Sequence, residues 1–143
     1  MVFNRVLRYL KHNNIEFRIV QEGAMVDFIV EAKGLAWECT LTTLEREKAL
    51  VVHSVMLETV PPQLISEMAV FLSNLNQSLV YGNFELCAEE GEVRFKTYLD
   101  GRASDITFAA IERALVLNIR AMKKALPKLY TLLERATPLR ASA

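Results

Sequence analysis

The spacing of apolar residues switches repeatedly along this chain, and the order of those switches restricts the fold more than any motif does. Phe3 recurs three and four positions on as Val6 and Leu7, and these again as Leu10, the stripe of a short amphipathic helix over residues 2–13. Asn13 and Asn14 suit its end, because asparagine tolerates the left-handed conformation after a last turn. The period then falls to two. Val26, Phe28 and Val30 alternate with Asp27, Ile29 and Glu31, and after Gly34 the residues Trp37, Cys39 and Leu41 alternate with Glu38, Thr40 and Thr42. Beyond the charged turn Glu45-Arg46-Glu47-Lys48, the run ALVVHSVML at 49–57 is apolar on both faces and reads as an interior strand. These segments form a three-strand meander.

Pro61-Pro62 opens a second helix whose stripe is Leu64, Met68, Phe71, Leu72 and Leu75. From Leu79 the period returns to two, with Val80, Phe84 and Leu86 on one face and Tyr81, Asn83, Glu85 and Cys87 on the other. Glu89-Glu90-Gly91 turns the chain into a return strand, where Val93, Phe95, Thr97 and Leu99 oppose Arg94, Lys96 and Tyr98. Glu85 then meets Arg94 or Lys96 across the hairpin. Ser104 or Asp105 caps a long last helix with the stripe Phe108, Ile111, Leu115, Ile119, Met122, Leu126, Leu129 and Leu133, and Pro127 is expected to kink or split it. The order α-β-β-β-α-β-β-α predicts an α+β class: two layers, with helices on an antiparallel five-stranded sheet. The chain of 143 residues fits a single domain over 1–136, with a frayed tail at 137–143.

Several chemistries lack their residues. Gly23, Gly34, Gly82, Gly91 and Gly101 are isolated, so no glycine-built phosphate cradle is present, and no His, Cys and carboxylate cluster has metal-ligand spacing. We expect no catalytic residue, no cofactor and no metal. Arg5, Arg8 and Lys11 interrupt the apolar start, which argues against a signal peptide, and the uncharged run between Glu67 and Glu85 is too polar for a membrane span. A cytoplasmic protein with no membrane partner is expected, with Cys39 and Cys87 reduced.

His53 is the most informative titratable residue. It shares a strand face with Val51, Val55 and Leu57, and a role as base or ligand needs a carboxylate or Cys39 beside it; a packed or edge histidine is the plainer reading. Cys87 reads as an inert thiol and Glu89-Glu90 as a solvated turn. Lys+Arg and Asp+Glu each number 17, yet the charge is uneven: +3 over 1–14, −9 over 15–112 and +6 over 113–143. Arg120, Lys123, Lys124 and Lys128 give the last helix a basic side, either a solvated face or a surface for nucleic acid or an acidic protein. With Tyr130 the only aromatic among them, nucleic acid is the disfavoured partner.

The segment NLNQSLVYGNFELCAEEGEVRFKTYLD, residues 74–100, resembles the YbjN-like family, in particular its cyanobacterial and plastid branch. Asn76, Gly82, Asn83, Phe84, Glu85, Leu86, Gly91, Glu92, Arg94, Phe95, Lys96 and Thr97 stand at the positions of that family's pattern; Trp37, Cys39 and Val60-Pro61 match upstream. The sequence departs at Cys87-Ala88, where relatives carry an acidic residue. The resemblance implies the fold of type III secretion chaperones, a homodimer, and no catalytic residue to carry over. The expected function is a non-enzymatic protein-binding module of chaperone or adaptor type. The alternatives are a regulatory binder of nucleic acid or acidic protein through the basic last helix, and a small-ligand binder or enzyme around His53. Val51, His53, Val55, Leu57, Leu117, Arg120, Lys124 and Lys128 are the candidate partner-binding residues. Small residues beside the main stripe of the last helix, Ala110, Ala114 and Ala121 with Leu117, and the doubly apolar strand at 49–57 point to the homodimer.

Overall fold

Alternation between Val26 and Met56 becomes three long antiparallel strands, and a fourth, shorter one precedes them. The computed structural model describes residues 1–135, so the tail read at 137–143 lies outside the described residues. The first helix, α1 (Val2–His12), buries Phe3, Val6, Tyr9 and Leu10. It ends as its asparagines predict: Asn14 takes φ 55° and the Asn13 side chain donates to the Tyr9 carbonyl at 2.9 Å. Its first turn is closed from a distance, since the Glu45 carboxylate accepts from the backbone N–H of Val2 at 3.0 Å and of Phe3 at 2.8 Å.

Four strands follow: β1 (Arg18–Gln21), β2 (Met25–Ala32), β3 (Leu35–Leu44) and β4 (Ala49–Met56). A two-residue turn, Lys33-Gly34 with φ 54° and 78°, joins β2 to β3, and such a doubly left-handed turn matches the twist of both strands. After a single 3-10 turn at Pro62–Leu64 come α2 (Ile65–Gln77), β5 (Asn83–Cys87), β6 (Glu92–Asp100) and α3 (Phe108–Glu134). All pairings are antiparallel, and the sheet order is β1-β2-β3-β4-β6-β5. Among the described residues the sheet therefore has six strands rather than five, while the α+β class and two-layer arrangement hold.

All three helices cover one face. One half of the core joins α2 and the end of α3 to Trp37, Phe84 and Phe95; the other joins α1 and the start of α3 to Cys39, Leu41, Leu50 and Val52. Buried polar bonds tie β3 to β4 within the sheet and α3 to the sheet beneath it. Trp37 donates to the Ser54 hydroxyl at 3.0 Å. The fully buried Asn118 amide lies 2.9 Å from the Val52 carbonyl and 3.1 Å from both the Phe95 carbonyl and Thr97 Oγ1, while Thr97 donates to the Ala114 carbonyl. Asn118 thus pins α3 across the seam where β4 meets β6.

Three local expectations change. Thr107, not Ser104 or Asp105, caps α3: its hydroxyl accepts from the Ala110 N–H at 3.1 Å. Pro127 does not split α3, because it lies on the exposed side, where the Lys123 carbonyl deprived of its N–H partner meets water. The strand placed from Leu79 begins only at Asn83. Gly82, at φ 80°, turns the chain there, and a Cβ on it would lie 2.6 Å from the Phe95 ring.

Candidate partner-binding surface

Cross-strand register brings Arg18, Asp27, Thr40, His53, Lys96 and Asn83 into one row across the face away from the helices. A parallel row holds Ile29, Glu38, Val55, Arg94 and Glu85. Where the rows meet, Glu85 is the hub: Lys96 Nζ lies 3.0 Å from one oxygen, and Arg94 Nε and His53 Nε2 lie 3.1 and 3.4 Å from the other. Glu92 sits 3.8 Å from Arg94. The hairpin pairing expected for Glu85 is therefore present with both Arg94 and Lys96.

Electrostatics at this hub favour a structural network. Burial pushes the Glu85 carboxyl up, but the Lys96 hydrogen bond and the charges of Lys96, Arg94 and His53 hold it below the ordinary carboxylate value. Burial first, and then the Arg94 charge, push His53 below its ordinary value; Glu85 opposes this and Lys96 reinforces it. The imidazole is accordingly neutral at pH 7. Its carboxylate neighbour is shared with two stronger cations, so it does not serve as a dedicated orienting partner for a general base. Cys39 lies on the opposite face, buried beneath the helices, with its thiol pushed up to about 12 by burial.

The eight candidate residues fall on two opposite sides of the molecule. Val51, His53 and Val55 are half-buried on the open sheet face, with Leu57 exposed just past β4. In register, Val55 lies between Glu38 and Arg94, and Val51 between Thr42 and Tyr98, so this face mixes charged and polar neighbours with apolar ones rather than forming the bare apolar patch that the sequence suggested. Leu117, Arg120, Lys124 and Lys128 belong to α3, across the sheet. Arg120, Lys124 and Lys128 are exposed, and Leu117 is half-buried. The single basic surface required for nucleic acid is divided: Arg5 donates to the Ile106 carbonyl at the start of α3, about 27 Å along the helix axis from Lys124 at ~1.5 Å per residue.

Sequence reasoning missed two surface features. A groove of about 530 Å³ between α2 and α3 is lined by Glu67, Val70, Phe71, Asn74, Lys128 and Leu132, among others. A slot of about 320 Å³ between β6 and α3 is lined by Val80, Tyr81, Gly82, Tyr98, Arg113 and Leu117, among others. Val80 is 83% exposed, Tyr98 68% and Tyr81 57%, and the Arg113 guanidinium lies 5.4 Å from the centre of the Tyr81 ring. Only Gly82 signalled the slot, because it marks where β5 begins. Among the described residues no helix is long and apolar enough to cross a membrane.

No family model matches the chain, and no curated protein matches its sequence. Solved structures do. A chain of the ExsC–ExsE complex aligns with a TM-score of 0.64 at 13% identity, over 87% of this chain and 90% of that one. A chain of the HopA1–SchA chaperone–effector complex gives 0.57 at 10% identity, over 86% and 91%. YbjN from E. coli gives 0.57 at 10% identity, over 92% and 89%. At these identities the likeness is one of fold: the chain has the YbjN-like, secretion-chaperone-like architecture that its residues 74–100 implied.

Proposed function

We propose that this chain is a non-enzymatic, chaperone- or adaptor-like module of the cytoplasm that works as a homodimer and holds a segment of another polypeptide. The supporting observation is an architecture that also occurs in a chaperone–effector complex, in which the helices cover a single face of the sheet and leave apolar side chains bare beside β6 and on α2. The homodimer is drawn from the α2–α3 groove. Val70 is 62% exposed there, and Glu67 lies on the same patch as Lys128 and Arg135. Glu67 is already paired there with Arg135 at 2.8 Å, so the exposed apolar centre around Val70, with its charged rim, is what suits two-fold pairing. Leu57, Leu117, Arg120 and Lys124 are the proposed client contacts.

Photo-crosslinking residues at Leu57, Leu117 and Lys128 test this reading in cells. A reproducible adduct with one or a few polypeptides, together with a light-scattering mass of twice the monomer, is the expected result. Adducts that merely follow protein abundance would remove the module reading. A monomer mass at every concentration would remove the homodimer.

A further inference from the structure

β6 is longer than its outer neighbour. β5 pairs with it only from Cys87 opposite Glu92 to Asn83 opposite Lys96, so among the described residues no strand lies beside Thr97–Asp100 on that side. Backbone direction along β6 follows from its ends. The Gly101 N–H donates to the Lys48 carbonyl on the β4 side, whereas the Asp100 carbonyl accepts from Ala103 and Ser104 in the turn. Alternation then turns the N–H and C=O of Tyr98 toward the unpaired edge. An open edge is a template for another strand, and proteins ordinarily blunt it with charge, proline or a covering loop. Here it is flanked instead by exposed Val80, Tyr81 and Tyr98, and roofed by Ala114 and Leu117 of α3.

Charge selects the occupant. Arg113 borders the slot, Arg120 follows two turns later, and neither forms an ion pair among the described residues. The nearest acid on β6, Asp100, already accepts from the Arg102 N–H. We propose that Thr97–Asp100 is a strand-addition site for an extended acidic segment of a partner protein. Main-chain bonds to Tyr98 give the attachment, an apolar side chain enters beneath Leu117 and Ala114, and a carboxylate on the same side meets Arg113. The proposal rests on the protein-binding reading above and assigns its site and client chemistry.

The test uses the full chain labelled for NMR, with a short capped peptide that carries valine and glutamate in turn at every second position with threonine between them (Val-Thr-Glu-Thr-Val), so that both face α3, and its valine–lysine counterpart. The acidic peptide should shift the amides of Tyr81, Tyr98 and Asp100 and slow exchange of the Tyr98 N–H. Tyr98→Pro, which fills the edge with a ring and removes the unpaired donor, should abolish those shifts. Should that variant not fold, the exposed pair Arg113→Glu with Arg120→Glu should weaken the acidic peptide by on the order of tenfold and admit the lysine peptide. Equal binding of both peptides, shifts centred on β1, or Tyr98 protection that rises with protein concentration alone would each overturn the site; the last would give the edge to a second copy. A crosslinked cellular partner that binds Tyr98→Pro as well as the native chain would overturn this site while leaving the protein-binding reading intact.

Discussion

Neighbouring residues of β4 live under different physics. Leu50, Val52, Ser54 and Met56 are sealed beneath the helices, while Val51, His53 and Val55, each one position away, are only half-buried, with His53 against Glu85 and Val55 between Glu38 and Arg94. On the first face, close packing and a few buried polar bonds decide stability. On the second, an ion cluster with its aliphatic stems does the covering, and water remains close. A strand that reads as apolar on both sides can therefore be satisfied by one layer of helices and one layer of arginine, lysine and glutamate.

The sharpest way to break this contrast is to empty the packed face. Trp37→Ala removes the largest fully buried side chain and the bond to Ser54, and should cost about 3–5 kcal/mol in urea unfolding. A cost below about 1 kcal/mol would show that the helix layer packs loosely. Asn118→Ala comes next, at about 1–3 kcal/mol, because Thr97 and the Val52 and Phe95 carbonyls lose their partner. An unchanged unfolding midpoint would deny the pinning of α3.

Acid should separate the two faces by mechanism. His53 has a lowered value when folded, so the unfolded chain binds its proton first, and stability should fall as pH drops from 7 through 6.5. Glu85 is also lowered; its contribution is present above the ordinary 4.5 and is lost as pH falls below it. Urea midpoints should thus fall in two stages, and His53→Asn should flatten the first. A native profile level between pH 7 and 5 would contradict the half-buried imidazole. The smallest effect belongs to Val51→Ala, at under about 1 kcal/mol. If it costs as much as Leu50→Ala, something covers the open face in solution, and the contrast fails.

What could be read in advance depended on burial leaving a period. The long strands and all three helices were legible because apolar residues recur at the spacing each geometry demands. β1 was not, since Arg18–Gln21 is exposed at every position and has no buried side to mark a rhythm. The Glu85 pairings with Arg94 and Lys96 were legible because the hairpin is local. His53 joining them was not, because that contact needs β6 to lie between β4 and β5, a property of sheet order rather than of neighbouring residues. The β6 slot escaped for a related reason: it is made by pairing that stops, and Gly82 marks the stop without stating what lies beside it.

The carboxylate that closes α1 has a consequence for how the chain is made. A helix of 11 residues is too short to persist alone in water. Its first two hydrogen-bond donors wait for Glu45, which a ribosome adds more than forty residues later. Through that interval the apolar stripe of α1 has neither a closed first turn nor a sheet to lie on, so its Phe3, Val6 and Leu10 wait uncovered while translation continues. Glu45→Gln leaves the final shape nearly intact but weakens the latch, and its effect should be larger on the yield of soluble protein during synthesis than on the unfolding midpoint of the finished molecule.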